Sequence, residues 1–434
     1  MNKRNVNNAS KVTIIYPKEQ CGDKIMYTEI KKCRISGSTN LITVLSLGEQ
    51  YLTGVFPKSP NEPIDKGPLD LVWCPESGLL QMKQSYSLDE MYGDNYGYRS
   101  GLNDSMVTHL QQKIRTLEQM VNLADDDLVI DIGSNDATLL KGYSGKFRKV
   151  GIDPTGNKFK QYYTDDITLI PDFFSAKVFH LKFPKNKAKI ITSIAMFYDL
   201  ENPIEFVRDI EAILADDGIW HFEQSYMPGM LRTNAYDTIC HEHLEFYSFT
   251  VVKNIVESCG LRIIDVQMNA INGGSFAVTA CKENAFYKSN LPVINWMLEQ
   301  EDEMGLDTPK PYRDFEERVF CHRKRLRGLI EALVADGKTI IGYGASTKGN
   351  VLLQFCGFTT KQIPFIAEVN EDKFGSFTPG TKIPIISEKE ARAMNPDYFL
   401  VLPWHFKAGI LEREKDYMAR GGRFIFPLPE IEII

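Results

Sequence analysis

The stretch "DLVIDIGSNDATLL", residues 127–140, decides the fold class. An apolar run ends in Asp131, and a turn that contains Gly133 follows it. Such a run is typical of a strand buried on both faces of a parallel sheet. Glycine lets a ligand approach the backbone closely, and polar side chains in the turn can form hydrogen bonds to it. These polar residues are Ser134, Asn135 and Asp136. The stretch therefore predicts a strand that leads into a ligand-binding turn.

Strands and helices alternate after this turn. Apolar runs recur at 149–155, 188–200 and 218–226, and helical patterns fill 204–214 and 249–259. This alternation predicts a doubly wound α/β sheet. The segment "LRIIDVQMNAINGGSFAVTACK", residues 261–282, differs because two strand-like runs flank an Asn-Gly-Gly turn, which predicts a β-hairpin. A hairpin that closes a parallel sheet is typical of class I methyltransferases, whereas ordinary dinucleotide-binding folds usually lack it.

A second acid, Asp153, ends the next strand about twenty residues after Asp131. An acid at this place accepts hydrogen bonds from ribose hydroxyls. S-adenosylmethionine carries a ribose and an amino-acid tail, and we therefore predict that it binds at Asp131, Gly133, Asp153 and the polar turn residues. The alternative is a βα turn without a cofactor. A nicotinamide-dependent oxidoreductase is disfavoured because neither glycine turn of the chain has the GxGxxG pattern.

The regions on either side of this sheet predict further domains, since 434 residues exceed one ordinary core. Residues 21–100 contain short strands and turns, and Ser105–Val121 has the apolar spacing of an amphipathic helix. After a charged, helical stretch at 297–334, "KTIIGYGASTKGNVLLQF" (338–355) begins a second α/β unit. We predict an α/β protein with a small strand-rich domain (1–100), a Rossmann-like methyltransferase domain (101–285), and a linker helix with a second Rossmann-like domain (286–434).

Composition excludes several classes of partner. A net charge of −7 disfavours nucleic-acid binding, and the longest apolar runs fall short of a membrane span. The polar start "MNKRNVNNASK" lacks the apolar region of a signal peptide, so we expect a cytoplasmic protein whose eight cysteines stay reduced. The expected ligand is a small molecule, and the oligomeric state stays open.

Two short motifs near the N-terminus resemble zinc knuckles that have each lost one thiol. They are "CRIS" and "CPES", with Cys33 and Cys74 each followed by a serine three residues later. Zinc is held by cysteine, histidine and carboxylate ligands, and serine is a poor substitute. We expect two ordinary cysteines and no metal.

The glycine turn "GYGASTKGN", residues 342–350, has two interpretations. Its glycines free backbone amides at a helix start, and Lys348 adds a charge suited to a diphosphate. The pattern matches neither the full P-loop nor the dinucleotide motif. A structural glycine turn and a phosphate site are equally compatible with it.

The segment "TICHEHLEFYS", residues 238–248, is the strongest candidate for catalysis. If it is extended, His241 and His243 share one side and Glu242 lies opposite. A metal site needs further ligands that the sequence does not identify, and two hydrogen-bonded structural histidines are a second alternative. General-base chemistry explains most, because histidine titrates near neutral pH and a neighbouring carboxylate can orient it.

Motifs along nearly the whole chain resemble those of the three-domain nucleotide-sugar C-methyltransferases, which make branched-chain deoxysugars. The motifs are "LSLGEQYLTGVFP", "PLDLVWCPESGLLQM" and "YGYRSGLN" at the front, "VIDIGSNDATLL" and "AYDTICHEHLEFYS" in the middle, and "GYGASTKGN" with "PGTKIPI" at the back. The resemblance implies an N-terminal domain that binds zinc, a central domain that binds S-adenosylmethionine, and a C-terminal domain that holds the nucleotide of a keto-sugar.

The resemblance also implies roles for individual residues. His243 is expected to be the base, with Glu242 and His241 beside it and Tyr98 as a substrate-facing phenol. The residues expected to bind substrate are Tyr96, Tyr247, Gly344, Lys348 and Asn350. Two positions depart from the family: Cys240 stands where relatives have a tyrosine, and Phe197 or Tyr198 stands near the place of an expected histidine.

The predicted function is S-adenosylmethionine-dependent C-methylation of a nucleoside-diphosphate 4-keto-6-deoxy sugar, with His243 removing the proton at C3. The ketone makes that proton acidic if the enolate is stabilised. Two alternatives stay open. One is an O- or N-methyltransferase acting on a sugar or another small metabolite, and the other is a non-catalytic relative that binds nucleotide sugars.

Overall fold

The computed structural model describes residues 27–86 and 98–434, which form four β-sheets. The strands are β1 Tyr27–Glu29, β2 Ile42–Tyr51, β3 Lys66–Trp73, β4 Leu80–Met82, β5 Gln84–Tyr86, β6 Leu128–Ile132, β7 Arg148–Ile152, β8 Ile167–Ile170, β9 Ala188–Ile194, β10 Leu214–Ser225, β11 Glu245–Phe246, β12 Leu261–Asn269, β13 Ser275–Lys282, β14 Ile340–Tyr343, β15 Ile366–Glu368, β16 Ile385–Ser387, β17 Tyr398–Val401, β18 Arg423–Phe426 and β19 Glu432–Ile433.

The α-helices in these ranges are α1 Asp104–Met120, α2 Gly156–Phe159, α3 Ala176–Lys182, α4 Pro203–Ile213, α5 Met227–Thr233, α6 Phe249–Ser258, α7 Leu291–Glu303, α8 Lys310–Ala335, α9 Thr347–Cys356, α10 Glu388–Ala393, α11 Lys407–Arg413 and α12 Lys415–Ala419. Short 3₁₀ turns lie at Ser100–Leu102, Leu140–Gly142, Lys160–Tyr162, Phe197–Asp199, Tyr236–Thr238, Ile271–Gly273, Glu371–Lys373 and Trp404–Phe406. Among the described residues, no helix is long and apolar enough to cross a membrane.

The central sheet confirms the predicted Rossmann-like fold. Its seven strands lie in the order β12-β13-β10-β9-β6-β7-β8, and those from β10 to β8 run parallel. All five residues of β6 are buried, as expected for a strand covered on both faces. The predicted hairpin is also present, since β13 pairs antiparallel with both β10 and β12. The order reverses between β6 and β9, which opens a crevice at the carboxyl ends of these strands.

The N-terminal sheet takes one of its strands from the central region. Its order is β11-β4-β3-β2, and β11 consists of Glu245 and Phe246, directly after the His-Glu-His segment. Glu245 pairs with Gln81, and Phe246 pairs with Leu80. The segment that follows the candidate catalytic residues is therefore fixed to the N-terminal sheet, across the boundary predicted near residue 100.

The C-terminal sheet has the order β16-β15-β14-β17-β18-β19 and is parallel except for β19, as expected for a second Rossmann-like unit. This unit and the N-terminal sheet share one hydrophobic core. In that core the rings of Trp73 and Tyr312 are 5.0 Å apart. The three-domain division by residue number stays a prediction, because the chain interleaves these units.

Helix α1 agrees with the predicted amphipathic helix, and α4 and α6 lie within one residue of their predicted bounds. The charged stretch at 297–334 is not one helix. It consists of α7 and α8, which are separated near Gly305, a residue with a φ of 65°. The segment "SLDEMYG", residues 87–93, where the sequence of the N-terminal region first has a helical period, lies outside the described residues.

A buried arginine connects the N-terminal sheet to β11. Its guanidinium donates to the Met82 carbonyl and to Ser85 Oγ, both at 2.7 Å. Arg34 Nε also lies 3.6 Å from the buried Glu245 carboxylate. Burial raises the pKa of Glu245 well above its usual range, and Arg34 opposes this rise. Removing the guanidinium takes away this charge and also leaves the Met82 carbonyl and the Ser85 hydroxyl without their donor.

We expect Arg34→Ala to lower the free energy of unfolding by about 3 kcal/mol. Urea denaturation measures this quantity. The exposed Arg115 provides the matched control, and Arg115→Ala should change stability by less than about 0.5 kcal/mol. Equal stability of the two variants would contradict a structural role for the buried guanidinium.

Candidate active site

One cavity of about 1420 Å³ lies at the carboxyl ends of β6, β7, β9 and β10. The loop at 52–56 of the N-terminal sheet forms part of its wall, and the turn at 343–348 of the C-terminal unit forms another part. All three units of the chain therefore contribute to one space. Its position at the reversal of strand order is where open α/β sheets bind ligands.

The predicted cofactor turn lines one end of this cavity. Gly133 has a φ of 73°, which favours glycine, and a Cβ there would lie 3.1 Å from Met196 Cγ. Asn135 also has a positive φ, and its amide donates to Asp153 Oδ2 at 2.8 Å. The turn after β6 and the acid after β7 therefore form one hydrogen-bonded unit.

Two buried carboxylates of the cofactor end differ in their surroundings. Asp153 accepts from the backbone amide of Thr155 at 2.7 Å as well as from Asn135. Burial raises the pKa of Asp131 to about 7, although a 2.6 Å hydrogen bond from Thr192 opposes the rise. Asp131 and Asp153 both line the cavity, as predicted.

Other predicted residues of this end support the turn in different ways. Ser134 forms a 2.8 Å hydrogen bond with the hydroxyl of Tyr163. The Asn135 side chain donates to the Tyr98 carbonyl at 3.1 Å, so the backbone of Tyr98 is held beside the turn. Asp136 is not among the cavity-lining residues. Its carboxylate accepts from the Gly101 amide at 3.0 Å and fastens that segment, which corrects its assignment as a cofactor ligand.

An ion cluster that the sequence did not reveal holds α1 beside the cavity. Glu223, near the end of β10, accepts from His109 at 2.7 Å and from Asn269 at 2.6 Å, and it pairs with Lys113 at 2.6 Å. Burial raises the pKa of Glu223, but these partners outweigh it and lower the value to about 2. The sequence feature that could have suggested this cluster is Glu223 itself, an acid near the carboxyl end of a predicted strand.

The His-Glu-His segment is a turn and not an extended strand, which corrects the predicted arrangement of its side chains. The amide of His243 donates back to the Cys240 carbonyl at 3.3 Å. His241 faces the N-terminal sheet, where Nε2 lies 3.2 Å from the Gln50 carbonyl. Because a carbonyl only accepts, Nε2 carries the proton. His241 lines the cavity, but 1% of its surface is exposed and its ring is held by Gln50, so the geometry favours a structural role for it.

His243 has the geometry of a general base. Its Nδ1 lies 2.8 Å from the Thr238 carbonyl. Because a carbonyl only accepts, Nδ1 carries the proton, and Nε2 keeps its lone pair. Burial lowers its pKa to about 4, and the positive charge of Lys348 adds to the effect. The imidazole is therefore neutral at physiological pH. The Tyr198 ring contacts it edge-on at 4.5 Å, and both residues line the cavity.

Glu242 also faces the cavity, between the N-terminal and C-terminal units. A side chain at Gly54 would overlap its Oε1, so only glycine leaves room for the carboxylate there. Burial raises the pKa of Glu242 to about 7. Its protonation state therefore changes within the physiological range.

The C-terminal end of the cavity carries a second set of polar groups. Lys348 lines it, and burial lowers the pKa of this lysine while the buried Asp237 opposes the change. Asp237 is held by a 2.8 Å hydrogen bond from the indole of Trp404. His405 is a cavity residue that we did not predict, and burial with the charge of Lys348 lowers its pKa to about 3.

Two predicted substrate residues are placed elsewhere. Tyr247 is fully buried, stacks on Phe197 at 5.2 Å and does not line the cavity. Asn350 is also buried, and its amide donates to the Thr53 carbonyl at 2.8 Å, which joins α9 to the N-terminal sheet. Both assignments are corrected to packing roles. Gly344 does line the cavity, with a φ of 85°, whereas Tyr96 lies outside the described residues.

The fold and this cofactor turn define a class I S-adenosylmethionine-dependent methyltransferase. A family described as "C-methyltransferase C-terminal domain" matches residues 270–429, a "Methyltransferase domain" matches 106–266, and a domain proposed to bind zinc matches 33–92. The chain is 32% identical to the C-methyltransferase NovU of Streptomyces niveus over 409 residues, which are 93% of this chain and 97% of NovU. The chain belongs to this C-methyltransferase family.

Solved methyltransferase structures match less than half of the chain. The plantazolicin methyltransferase BpumL, in complex with S-adenosylhomocysteine (SAH) and a pentazolic analogue, has 11% identity and a TM-score of 0.33, covering 41% of this chain and 86% of its own. An S-adenosylmethionine-dependent methyltransferase from Clostridium acetobutylicum has 13% identity and a TM-score of 0.32, covering 41% and 92%. Each likeness leaves more than half of this chain unmatched.

The four positions of the degenerate zinc motif converge in the N-terminal sheet. Cys33 Sγ lies 3.2 Å from Ser77 Oγ, and Ser36 Oγ lies 3.5 Å from Cys74 Sγ. Burial raises the pKa of the Cys33 thiol, but hydrogen bonds with the two serines outweigh it and lower the pKa to about 7. Two hydroxyls replace the thiolates that a structural zinc site requires, so the donor set does not fit that metal.

We expect the double change Ser36→Cys and Ser77→Cys to create a zinc site that holds about one metal ion per chain. Elemental analysis after dialysis measures the metal. Adding cysteines at the exposed Ser59 and Ser144 gives a control with the same number of new thiols, and it should not gain zinc. One zinc ion per wild-type chain would refute the expectation that the serines prevent binding.

The burial of His241 predicts that the free energy of unfolding depends on pH. The unfolded chain protonates this residue near pH 6.5, whereas burial lowers its folded pKa to about 4. The stability that it contributes is therefore present above pH 6.5 and is lost as the pH falls towards 4. Between pH 7 and pH 5 the wild type should lose about 2 kcal/mol through this group, and His241→Gln should lack that loss.

Urea denaturation at both pH values tests this difference. His180→Gln is the control, because it removes one imidazole at a position outside the cavity. Identical pH dependence of the wild type and His241→Gln would show that the folded His241 is not kept neutral.

Proposed function

We propose that this chain methylates C3 of a nucleoside-diphosphate 4-keto-6-deoxy sugar after His243 removes the proton from that carbon. The observation that carries the proposal is the single cavity, which contains Asp153 at one end, Lys348 at the other and His243 within it. At about 1420 Å³ it exceeds the usual range of about 300–1,000 Å³ for one small-molecule site. A cofactor and a nucleotide sugar together suit a space of this size.

The cofactor supplies an activated methyl group on a sulfonium and leaves no metal or redox chemistry for the protein to provide. Asp153 and the turn at Gly133 hold its ribose and amino-acid tail. The ion cluster of Glu223 holds α1 beside the same end of the cavity. At this end of the cavity, the protein positions the cofactor and excludes water.

His243 acts on the substrate through Nε2. With the proton on Nδ1 held by Thr238, the Nε2 lone pair accepts the C3 proton of the sugar. The electron pair of the broken C–H bond moves into the enolate, and O4 gains the negative charge. As the C4 carbonyl re-forms, C3 would take the methyl group of the bound cofactor; the methyl–sulfur bond would break with its electron pair left on sulfur, which turns the sulfonium into a neutral thioether. His243 would then release the C3 proton to solvent. Glu242 precedes His243 and lines the same cavity, and with a pKa of about 7 it is a carboxylate at higher pH.

A phenol stabilises the enolate oxygen by donating a hydrogen bond. Tyr98 is the predicted donor and lines the cavity. Tyr198 is a second candidate that the geometry adds, since its ring contacts His243. One preorganised donor of this kind contributes roughly 3–4 kcal/mol to the transition state. Lys348 and His405, at the other end of the cavity, face the place where the diphosphate is expected.

The base is tested with His243→Gln. Removing it should slow methyl transfer about 10²–10⁴-fold, because glutamine fills a similar space but accepts no proton at neutral pH. SAH affinity should stay within about twofold, since His243 is apart from the cofactor turn. Transfer of a labelled methyl group to a nucleoside-diphosphate 4-keto-6-deoxy sugar measures the rate, and calorimetry measures the affinity.

Proton exchange separates this chemistry from methylation at oxygen or nitrogen. In deuterated water without S-adenosylmethionine, the wild type should exchange the C3 proton of the keto-sugar, and His243→Gln should not. His180→Gln is the control and should match the wild type in both assays. Methyl transfer without any exchange at C3, or wild-type turnover by His243→Gln, would refute the proposed base.

A further inference from the structure

The two Rossmann-like units of the chain repeat one arrangement of a glycine and an acid. In the central sheet, the Gly133 amide donates to the Ile152 carbonyl at 2.8 Å, and the next residue is Asp153. In the C-terminal sheet, the Gly344 amide donates to the Ala367 carbonyl at 2.7 Å, and the next residue is Glu368. Both glycines have positive φ, at 73° and 85°. The first βα turn and the acid after the second strand therefore have the same relation in both units.

The hydrogen bonds of the two acids also correspond. One oxygen of Asp153 accepts from an amide of the glycine turn at 2.8 Å, and one oxygen of Glu368 accepts from the Ala345 amide at 2.7 Å. The other oxygen accepts from the amide two residues after the acid, Thr155 in one case and Asn370 in the other. Both carboxylates are more than nine-tenths buried, and both line the same cavity.

A carboxylate offers about four acceptor positions, and three of them on Glu368 are occupied. They are taken by the amides of Ala345, Val369 and Asn370. The remaining position belongs to Oε2, the oxygen bonded to the glycine turn. Asp153 has the same count, with Thr155 Oγ1 as its third donor at 2.5 Å. Each acid thus keeps one acceptor position for a ligand hydroxyl.

We propose that Glu368 accepts a hydrogen bond from a ribose hydroxyl of the nucleoside diphosphate carried by the substrate. This inference rests on the proposed function. It gives the two ends of the cavity the same chemistry, with Asp153 binding the ribose of the cofactor and Glu368 binding the ribose of the nucleotide sugar. Lys348 lies on the helix that follows the Gly344 turn, on the side where the diphosphate continues from that ribose.

Calorimetry with UDP, GDP, ADP, CDP and dTDP first shows which nucleoside diphosphate the wild type binds. The tightest ligand is then compared with its 2′-deoxy and 3′-deoxy analogues, or, for dTDP, with its 2′-hydroxy and 3′-deoxy analogues, on the wild type, Glu368→Gln and the control Glu371→Gln. Glu371 is a nearby exposed acid. Glu368→Gln should weaken the parent nucleotide about tenfold or more, the cost of a charged hydrogen bond. It should weaken the analogue that lacks the bonded hydroxyl less than about twofold.

The deoxy analogues distinguish a direct hydrogen bond between Glu368 and the ribose from an indirect effect of the substitution on the glycine turn. If Glu368→Gln weakens the parent and both analogues equally, the carboxylate acts only on the backbone and the proposal is overturned. If the wild type binds SAH but none of the five nucleotides, the proposed nucleotide-sugar substrate fails, and the role of Glu368 fails with it. Binding of SAH to Glu368→Gln at wild-type affinity supports the assignment to the C-terminal end alone.

Discussion

The backbone of Leu244 is the point on which the arrangement of the active site depends. Its amide donates to the Tyr198 carbonyl at 2.8 Å, and its carbonyl accepts from the Met82 amide at 2.8 Å. One residue thereby joins the central sheet to the N-terminal sheet, immediately after Glu242 and His243. His241 fixes the other end of the turn through Gln50. Bonds at both ends of this short turn fix the position of His243, which is what the proposed role as a base requires.

Burial dominates the electrostatics of the cavity. The pKa values of Asp131 and Glu242 are raised, and those of His243 and His405 are lowered. Desolvation disfavours the charged form of every one of these groups, whatever its sign. In the proposed function, a diphosphate beside Lys348 would oppose this effect at the C-terminal end, because its negative charge stabilises nearby cations. Binding of such a substrate would raise the pKa of His243 and make it a stronger base.

Local patterns predicted the elements well, because strand β6, helix α1 and the hairpin of β12 and β13 each carry their own periodicity or turn chemistry. The direction of side chains in the His-Glu-His segment was not predictable, because bonds to Gln50 and Tyr198 from distant parts of the chain impose the turn. Tyr247 and Asn350 have the polar groups of ligand-binding residues, yet packing between units buries them. Most of the residues predicted to bind the cofactor line the cavity, whereas Tyr247 and Asn350, predicted to bind substrate, do not.

The interleaving of the units explains why the cavity needs the whole chain. Trp404 follows the C-terminal strand β17, and its indole bonds to Asp237, next to the Thr238 carbonyl that sets the tautomer of His243. Asn350 bonds to Thr53, beside the Gly54 backbone that makes room for Glu242. The C-terminal unit thus contacts the immediate support of both the base and its neighbouring acid. In the proposed function, movement of that unit on binding a nucleotide would act directly on the segment that carries His243, and recognition of the nucleotide would be coupled to deprotonation of the sugar carbon.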